Sequence, residues 1–416
     1  MTAPTDSTPE APQRVVIVGG GLAGAHAAET LREQGFDGRV TIVGAEPHLP
    51  YERPPLSKGL LLGSDEPDSV FVHDQQWYDD QRVTLRTGTR ATAIHLDARE
   101  VALDDGTRLP YDRLLLATGA QPRHLPMADE SGADIAYLRT LDDSRALLAG
   151  LSGSLLVIGA GWIGLEVASA ARQAGAEVTV VESAPAPLSA VLGPELADVV
   201  ASLHREHGVD LRTSTGVESI EHADGRTVVR LSDGAELHPD RILVAIGAVP
   251  DDALAAAAGL ATDKGVLVNA GLRTSDPHVW AAGDVAQHDH PTHGRIRVEH
   301  WDTAIQHGKH AARGMLGDEA PYTQEPYFFT DQYDLGMEYV GNPGPDGYDE
   351  VVVRGDRESR VLTALWLRRG TVVAGMHLND WDAIDPIRAW VGHEATAELR
   401  DTSVALGDVP LPDSEG

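Results

Sequence analysis

Cysteine is absent from the 416-residue chain. That excludes disulfides, a Cys-x-x-Cys redox pair, a cysteine nucleophile and any Cys-ligated iron–sulfur cluster of the protein's own. Positive charge is scarce. The 33 basic and 64 acidic side chains give a formal net charge of -31, which opposes nucleic acid and anionic membrane surfaces and suits solubility or a salty setting. Lysine is scarcer still: only Lys58, Lys264 and Lys309 stand against thirty arginines. A lysine retained in such a chain points to a need for a compact point charge. No apolar run is long enough to span a bilayer, Ala253 to Ala261 being too short and too rich in alanine. Met1 to Gln13 has no basic region leading into an apolar core, so no secretory signal is read there and a cytoplasmic location is expected.

Glycine, by contrast, is plentiful and patterned. Val15-Val16-Ile17-Val18 runs into Gly19-Gly20-Gly21-Leu22-Ala23-Gly24 and then into an alanine-rich segment, predicting strand, tight turn and helix (Ala25 to Gln34). In Gly-x-Gly-x-x-Gly the turn brings backbone amides at a helix N-terminus up to a pyrophosphate, and the third glycine lets helix and strand pack closely. One such motif is weak evidence. A second copy, Leu155-Leu156-Val157-Ile158-Gly159-Ala160-Gly161-Trp162-Ile163-Gly164, implies a second dinucleotide.

The repeat extends beyond the glycines. Val83 to Thr89 returns as Val209 to Thr215, and the hairpin turn Leu103-Asp104-Asp105-Gly106 returns as Leu231-Ser232-Asp233-Gly234. Asp112-Arg113-Leu114-Leu115-Leu116-Ala117-Thr118-Gly119-Ala120 returns as Asp240-Arg241-Ile242-Leu243-Val244-Ala245-Ile246-Gly247-Ala248. Each copy is a βαβ nucleotide unit, a β-meander and a closing strand that ends in glycine. The continuous apolar runs are those of buried parallel strands, and ligands belong at their carboxyl ends.

An acidic residue follows the second strand of each copy. Glu46 comes just past Val40-Thr41-Ile42-Val43, where a carboxylate accepts hydrogen bonds from ribose hydroxyls, the alternative being a solvated loop glutamate. Glu182 comes directly after Val178-Thr179-Val180-Val181. The next residues, Ser183-Ala184-Pro185-Ala186, hold no arginine for a 2′-phosphate, which favours NADH over NADPH. His204 and Arg205 sit on the following helix and are not obvious phosphate ligands.

Between the copies and after them lie further candidates. Pro50-Tyr51-Glu52-Arg53-Pro54-Pro55-Leu56-Ser57-Lys58 reads as a rigid extended stretch that releases a helix at or after Pro55, either a connector or a functional turn. Val279-Trp280-Ala281-Ala282-Gly283-Asp284-Val285 predicts a buried strand, then Gly-Asp before a helix. There Asp284 either caps the helix or accepts hydrogen bonds from a polyol chain. His300-Trp301 precedes a helix from Ala304 to about Met315. The loop histidines His288, His290 and His293 read as a solvated turn rather than a metal site, so no metal is assigned. Gly317 to Pro321 is a linker. Beyond it, aromatic Tyr327-Phe328-Phe329, a Gly/Pro loop at Gly341 to Gly347, strands at Glu350 to Arg354, Val361 to Arg368 and Thr371 to Met376, and a helix near Asp385 to His393 predict a mixed α/β domain.

The expected fold class is α/β: two tandem Rossmann-like dinucleotide-binding domains with β-meanders, plus a C-terminal mixed α/β domain. The expected limits are a disordered tail at 1–12, the first dinucleotide-binding domain at 13–120 and 246–317, the second at 121–245, the C-terminal domain at 318–406 and a loose tail at 407–416.

Over nearly its whole length the chain resembles the FAD-dependent pyridine nucleotide-disulfide oxidoreductase superfamily, and within it the NADH-dependent ferredoxin reductases of the putidaredoxin reductase type. Apoptosis-inducing factor is a more distant relative. The residues that carry the resemblance are Pro50 to Lys58, Ala117-Thr118-Gly119-Ala120, Gly283-Asp284 and Phe329-Thr330-Asp331-Gln332-Tyr333. The resemblance implies FAD in the first copy, with Gly19, Gly21 and Gly24 at its pyrophosphate, Glu46 at its ribose, Arg53, Lys58, Thr118, Gly119 and Asp284 around it, and Glu299 and Trp301 at its isoalloxazine. It implies NADH in the second, at Gly159, Gly161, Gly164, Glu182 and Gly247. Catalytic roles fall to Lys58 and Glu166, paired beside the flavin N5, and to Trp301 and Phe329, the latter near the nicotinamide; for both aromatics the alternative is a place in the core. A cation near N5 and O4 stabilises the reduced flavin, and its carboxylate partner orients it. Ala186 departs from the family, many of whose members have arginine there.

The function so implied is hydride transfer from NADH to FAD, then single electrons to a ferredoxin, of the 2Fe-2S type, that serves a monooxygenase or dioxygenase. Docking is expected at a local basic patch: the resemblance implies a place in it for Lys309, and Arg313, Arg368, Arg369 and Arg388 are candidates to join it. Two other readings stay open: an NADH dehydrogenase for a small acceptor such as a quinone or monodehydroascorbate, and a redox-sensing interaction protein like apoptosis-inducing factor. The oligomeric state, monomer or homodimer, is left open too.

Overall fold

Runs of valine, isoleucine and leucine form the buried strands in both copies of the repeat, because such runs suit a sheet covered on both faces. The computed structural model describes residues 12–412, and of the tail expected at 1–12 only Pro12 falls among them. Contacts divide the chain into two units. One comprises residues 12–52, Val70–Gln121 and Val249–Gln324; the other comprises Arg53–Ser69, Pro122–Ala248 and residues 325–412.

The first unit holds a five-stranded parallel sheet in the order Val279–Ala281, Arg113–Leu116, Arg14–Val18, Arg39–Val43, Val83–Arg86. Helix Leu22–Glu33 follows the glycine turn and buries Leu31 together with Ala23, Ala27 and Ala28, the three alanines being small enough to let it lie close to the sheet. A meander of Ala91–His95, Glu100–Leu103 and Arg108–Pro110 completes the copy.

The second unit repeats this order with Asp210–Arg212, Glu177–Val181, Ser154–Ile158 and Arg241–Val244, and has its own meander at Val217–Ala223, Arg226–Leu231 and Glu236–Leu237. The fifth strand differs. The first copy takes it from far downstream, Val279–Ala281, whereas the second takes Ile135–Ala136 from just upstream. The same unit carries an antiparallel sheet of Tyr327–Gln332, Leu335–Gly341, Thr371–Leu378, Val361–Arg368 and Glu350–Asp356, backed by helix Ile384–Trp390.

Three expectations need correction. No α-helix follows Gly283-Asp284: a single 3-10 turn, Gly283–Val285, leads straight into strand Ala286–His290, and the long helix begins at Trp301 with the His300 imidazole as its cap. Of the tail expected to be loose at 407–416, residues 407–412 are among those described, and Val409 anchors them. Leu406 and Val409 are buried with Trp390 and Leu399, each such burial contributing about 2 kcal/mol.

Of the three histidines expected in a solvated turn, His293 does lie in a turn and is partly exposed, but the other two do not. His288 and His290 are 1% and 2% exposed on strand Ala286–His290, where the His288 ring packs on those of His307 and Tyr322. Burial pushes His288 and His204 down to about 4, and His307 well below its ordinary range. Below about pH 6.5 the unfolded chain therefore takes up protons that the folded chain refuses, so stability falls as the pH drops from about 6.5 towards 4. Urea unfolding at stepped pH values should show this loss. His288→Leu should flatten the slope by up to about 1.4 kcal/mol per pH unit; an unchanged slope would show that His288 titrates normally.

Candidate active site

In the first unit the glycines do two different jobs. A Cβ on Gly19, whose φ is +126°, would lie 2.0 Å from the Ala117 carbonyl oxygen, and one on Gly24 would lie 2.4 Å from the Gly19 oxygen. Those two are required by packing. A Cβ on Gly21 meets nothing within 4 Å, and Gly21 caps helix Leu22–Glu33 without any side-chain hydrogen bond. Clear space beside a helix N-terminus that no side chain caps fits a diphosphate.

The second unit repeats the arrangement. A Cβ on Gly159 (φ +103°) would lie 2.5 Å from the Ala245 oxygen and one on Gly164 2.2 Å from the Gly159 oxygen, while Gly161 is open and caps Trp162–Gln173 with no side chain. Glu182 is held at this turn: its Oε2 accepts from the Ala160 amide at 2.8 Å and its Oε1 from the Ala184 amide at 2.8 Å. A 2′-phosphate here would meet a fixed negative charge. Gly247 closes the unit's repeat, its carbonyl accepting from the Arg123 amide at 2.8 Å.

The remaining first-unit candidates are placed as follows. Glu46 accepts from the Tyr51 hydroxyl at 2.5 Å. Thr118 spends its hydroxyl on the Asp251 carbonyl at 2.6 Å, and the Gly119 carbonyl accepts from the Asp251 amide, so these two shape the backbone. Asp284 sits in the 3-10 turn, its carbonyl accepting from Arg297, which also pairs with Glu299 at 2.5 Å. Trp301 opens the long helix and is half-buried.

In the second unit the proline segment ends in a 3-10 turn, Pro54–Ser57, whose Leu56 carbonyl accepts from Ser144 at 2.8 Å. Arg53 donates to the Arg139 carbonyl. This anchored turn presents Lys58, whose Nζ lies 2.8 Å from Glu166 Oε1 and 5.4 Å from the centre of the Phe329 ring. Glu166 is 6% exposed on helix Trp162–Gln173. Besides the ammonium it accepts from Ser57 Oγ at 2.5 Å and Thr330 Oγ1 at 2.6 Å. A buried carboxylate without such donors would cost several kcal/mol.

Two nucleotide cradles and a buried lysine–glutamate pair set the frame for comparison. The family model for pyridine nucleotide-disulphide oxidoreductases matches residues 13–308, and a reductase C-terminal domain matches 327–409. The chain belongs to the pyridine nucleotide-disulphide oxidoreductase family. Among curated relatives of this family, the ferredoxin–NAD(+) reductase component of the anthranilate 1,2-dioxygenase system of Burkholderia cepacia is 42% identical, over 94% of this chain and 98% of its own. Rhodocoxin reductase of Rhodococcus erythropolis is 40% identical, over 84% and 82%. In the solved covalent complex of putidaredoxin reductase with putidaredoxin, the matched chain is 36% identical with a TM-score of 0.89, over 96% of this chain and 98% of that one. The family's members use FAD and a nicotinamide nucleotide, and the two cradles fit them.

Sequence reasoning paired Lys58 with Glu166 through the resemblance but passed over Ser57 and Thr330. The signal was present: each is the immediate neighbour of a residue already singled out, Lys58 or Phe329. What could not be seen is that both hydroxyls turn to one carboxylate more than a hundred residues away from either.

Proposed function

We propose that this oxidoreductase passes a hydride from NADH to FAD and then single electrons to a ferredoxin of the 2Fe-2S type, which serves a monooxygenase or dioxygenase. The reading rests on one observation above all, the two glycine cradles in front of uncapped helices, in a chain with no redox cysteine. FAD, when bound, supplies the change from a two-electron donor to one-electron acceptors. The balance is one NADH and two oxidised ferredoxins giving NAD+, two reduced ferredoxins and one proton.

The chain's own residues bind, orient and tune. The amides beyond Gly21 and Gly161 hold diphosphates, and Glu46 and Glu182 hold ribose hydroxyls. Lys58 supplies positive charge to the flavin, Glu166 fixes that charge in place, and Phe329 and Trp301 frame the reacting rings. The domain limits of the sequence reading, with the FAD domain interrupted by the NAD domain, are part of this proposal, as is a cytoplasmic location. Among the described residues no helix is long and apolar enough to cross a membrane.

Its test is turnover. Purified protein given NADH should reduce a panel of ferredoxins faster than quinones or monodehydroascorbate, and NADPH should serve poorly. Faster reduction of a small acceptor would overturn the ferredoxin reading. An NADH-driven change of oligomeric state with negligible turnover would support the interaction-protein reading instead.

Docking on so acidic a chain calls for local positive charge, and Lys309, half-buried on helix Trp301–Met315, is the proposed contact, with Arg313 on the same helix. Arg368, Arg369 and Arg388 are weaker candidates, because Arg368 also donates to the Pro343 carbonyl and Arg388 lies over the Tyr327 ring. Lys309→Glu should slow ferredoxin reduction about fivefold, the size of a ~1 kcal/mol charge contact. Ferricyanide reduction should be unchanged; an equal fall in both would remove Lys309 from the docking surface.

A further inference from the structure

Behind Glu166 the hydrogen bonds continue inward, along a signature segment whose polar residues have no role so far. Thr330 has one hydroxyl proton, and with Glu166 Oε1 only 2.6 Å away that proton goes to the carboxylate. Gln332 Nε2, 3.2 Å from the same Thr330 oxygen, must then be a donor to it. This orientation turns Gln332 Oε1 towards His204 Nε2 at 2.8 Å, so His204 carries its ring proton on Nε2. Every donor points the same way, from His204 through Gln332 and Thr330 to Glu166.

The chain of bonds is sheltered and firmly held. His204 is 0% exposed, Thr330 and Gln332 1% each and Glu166 6%. Its members come from three elements: helix Trp162–Gln173, helix Pro194–Glu206 and strand Tyr327–Gln332. The next residue is anchored as well, the Tyr333 amide donating to Ser169 Oγ at 2.9 Å and its ring stacking on His207 at 3.7 Å.

We propose that Thr330, Gln332 and His204 are positioning residues, which hold the Glu166 carboxylate in one rotamer so that the Lys58 ammonium keeps a fixed place. The proposal rests on the reading of Lys58 and Glu166 as the flavin's electrostatic partners. A hydrogen bond to a charged group is worth more than a neutral one, so each added donor narrows the orientations open to the carboxylate. Because burial keeps His204 neutral down to about pH 4, the direction of the donors does not change across the neutral range.

Thr330→Val keeps the shape and deletes the donor, and Thr330→Ser restores it. In the FAD-loaded enzyme, Thr330→Val should raise the acetylation rate of Lys58 several-fold relative to the exposed Lys264, a comparison made simple by a chain with three lysines. The ratio of reduced to oxidised flavin at a fixed poise should fall up to about tenfold, a midpoint about 30 mV lower for a two-electron couple. Flavin reduction by NADH should slow while KM stays within about twofold, the mark of an interaction lost only on the way to the transition state. Thr330→Ser should recover all three, and Gln332→Met should move them in the same direction by less, which keeps the test alive should the valine variant not fold. Glu166→Gln is the control. If it moves Lys58 reactivity and the midpoint while Thr330→Val moves neither, the positioning proposal is wrong; if Glu166→Gln itself moves neither, the underlying reading of the pair has failed first.

Discussion

Gly161→Ala should give a folded, yellow, FAD-loaded enzyme whose KM for NADH is raised at least about tenfold, a loss of roughly 1.4 kcal/mol in binding. The added methyl meets no protein atom within 4 Å, and Gly161 has φ -80° and ψ -177°, extended backbone that alanine adopts freely. Nothing in the protein resists the change. The methyl instead occupies the space in front of the helix N-terminus where the dinucleotide diphosphate must approach. Gly164→Ala is the contrasting case, because its methyl would sit 2.2 Å from the Gly159 carbonyl oxygen, which is backbone and cannot swing aside. That variant should lose about 1–3 kcal/mol of stability, the usual cost of overpacking. Thermal melts and steady-state kinetics on both variants decide the matter. Equal destabilisation by the two, or a Gly161→Ala enzyme with unchanged KM, would show that the second glycine serves packing and not the ligand.

The second large effect belongs to Glu166→Gln. Removing one member of a buried ion pair leaves the other charge uncompensated, a loss of 3–5 kcal/mol where burial is complete. Lys58 is 17% exposed, so about 2–3 kcal/mol is expected here. Flavin reduction by NADH should slow by about 10- to 100-fold, because the ammonium is no longer fixed. Stability and rate are separable by a third variant. The double change Lys58→Met with Glu166→Gln removes both charges and should recover most of the stability while leaving the rate low. A double variant that recovers the rate as well would reduce the pair to a structural brace.

How much of this was legible before the structure can be traced residue by residue. The repeat was visible because each copy is built from contiguous signals: apolar runs of strand length, glycines where only glycine fits, and hairpin turns marked by Asp-Gly. The strand order of both parallel sheets agrees with it, Val15 pairing with Arg113 as Leu155 pairs with Arg241. The third glycine of each turn needs no long-range information, since a methyl at Gly24 or Gly164 would meet the carbonyl of Gly19 or Gly159 in the same turn, whereas the clash at Gly19 or Gly159 is with Ala117 or Ala245, which only the closing strand brings there.

Other features were hidden for physical reasons. Strand Ile135–Ala136 is two residues long and has no pattern of its own; it exists because the edge of Arg241–Val244 was free to pair. His288 and His290 looked like solvated polar residues, since no local rule shows that Tyr322 and the long helix's His307 will cover them. Gly283-Asp284 carries the signal of a helix start, yet pairing of the following residues with Val266–Val268 draws them into a strand after one turn.

The contrast is sharpest at Glu166. Chain order alone was enough to say that two nucleotide folds are present and that the chain has no cysteine to take part, because those properties reside in short stretches and in composition. Which groups meet the Glu166 carboxylate was decided by folding over long distances, when Ser57, Lys58, Thr330 and, behind them, Gln332 and His204 came from separate elements to one buried point. A carboxylate removed from water must find donors wherever the fold can bring them, and their sequence positions need obey no spacing at all.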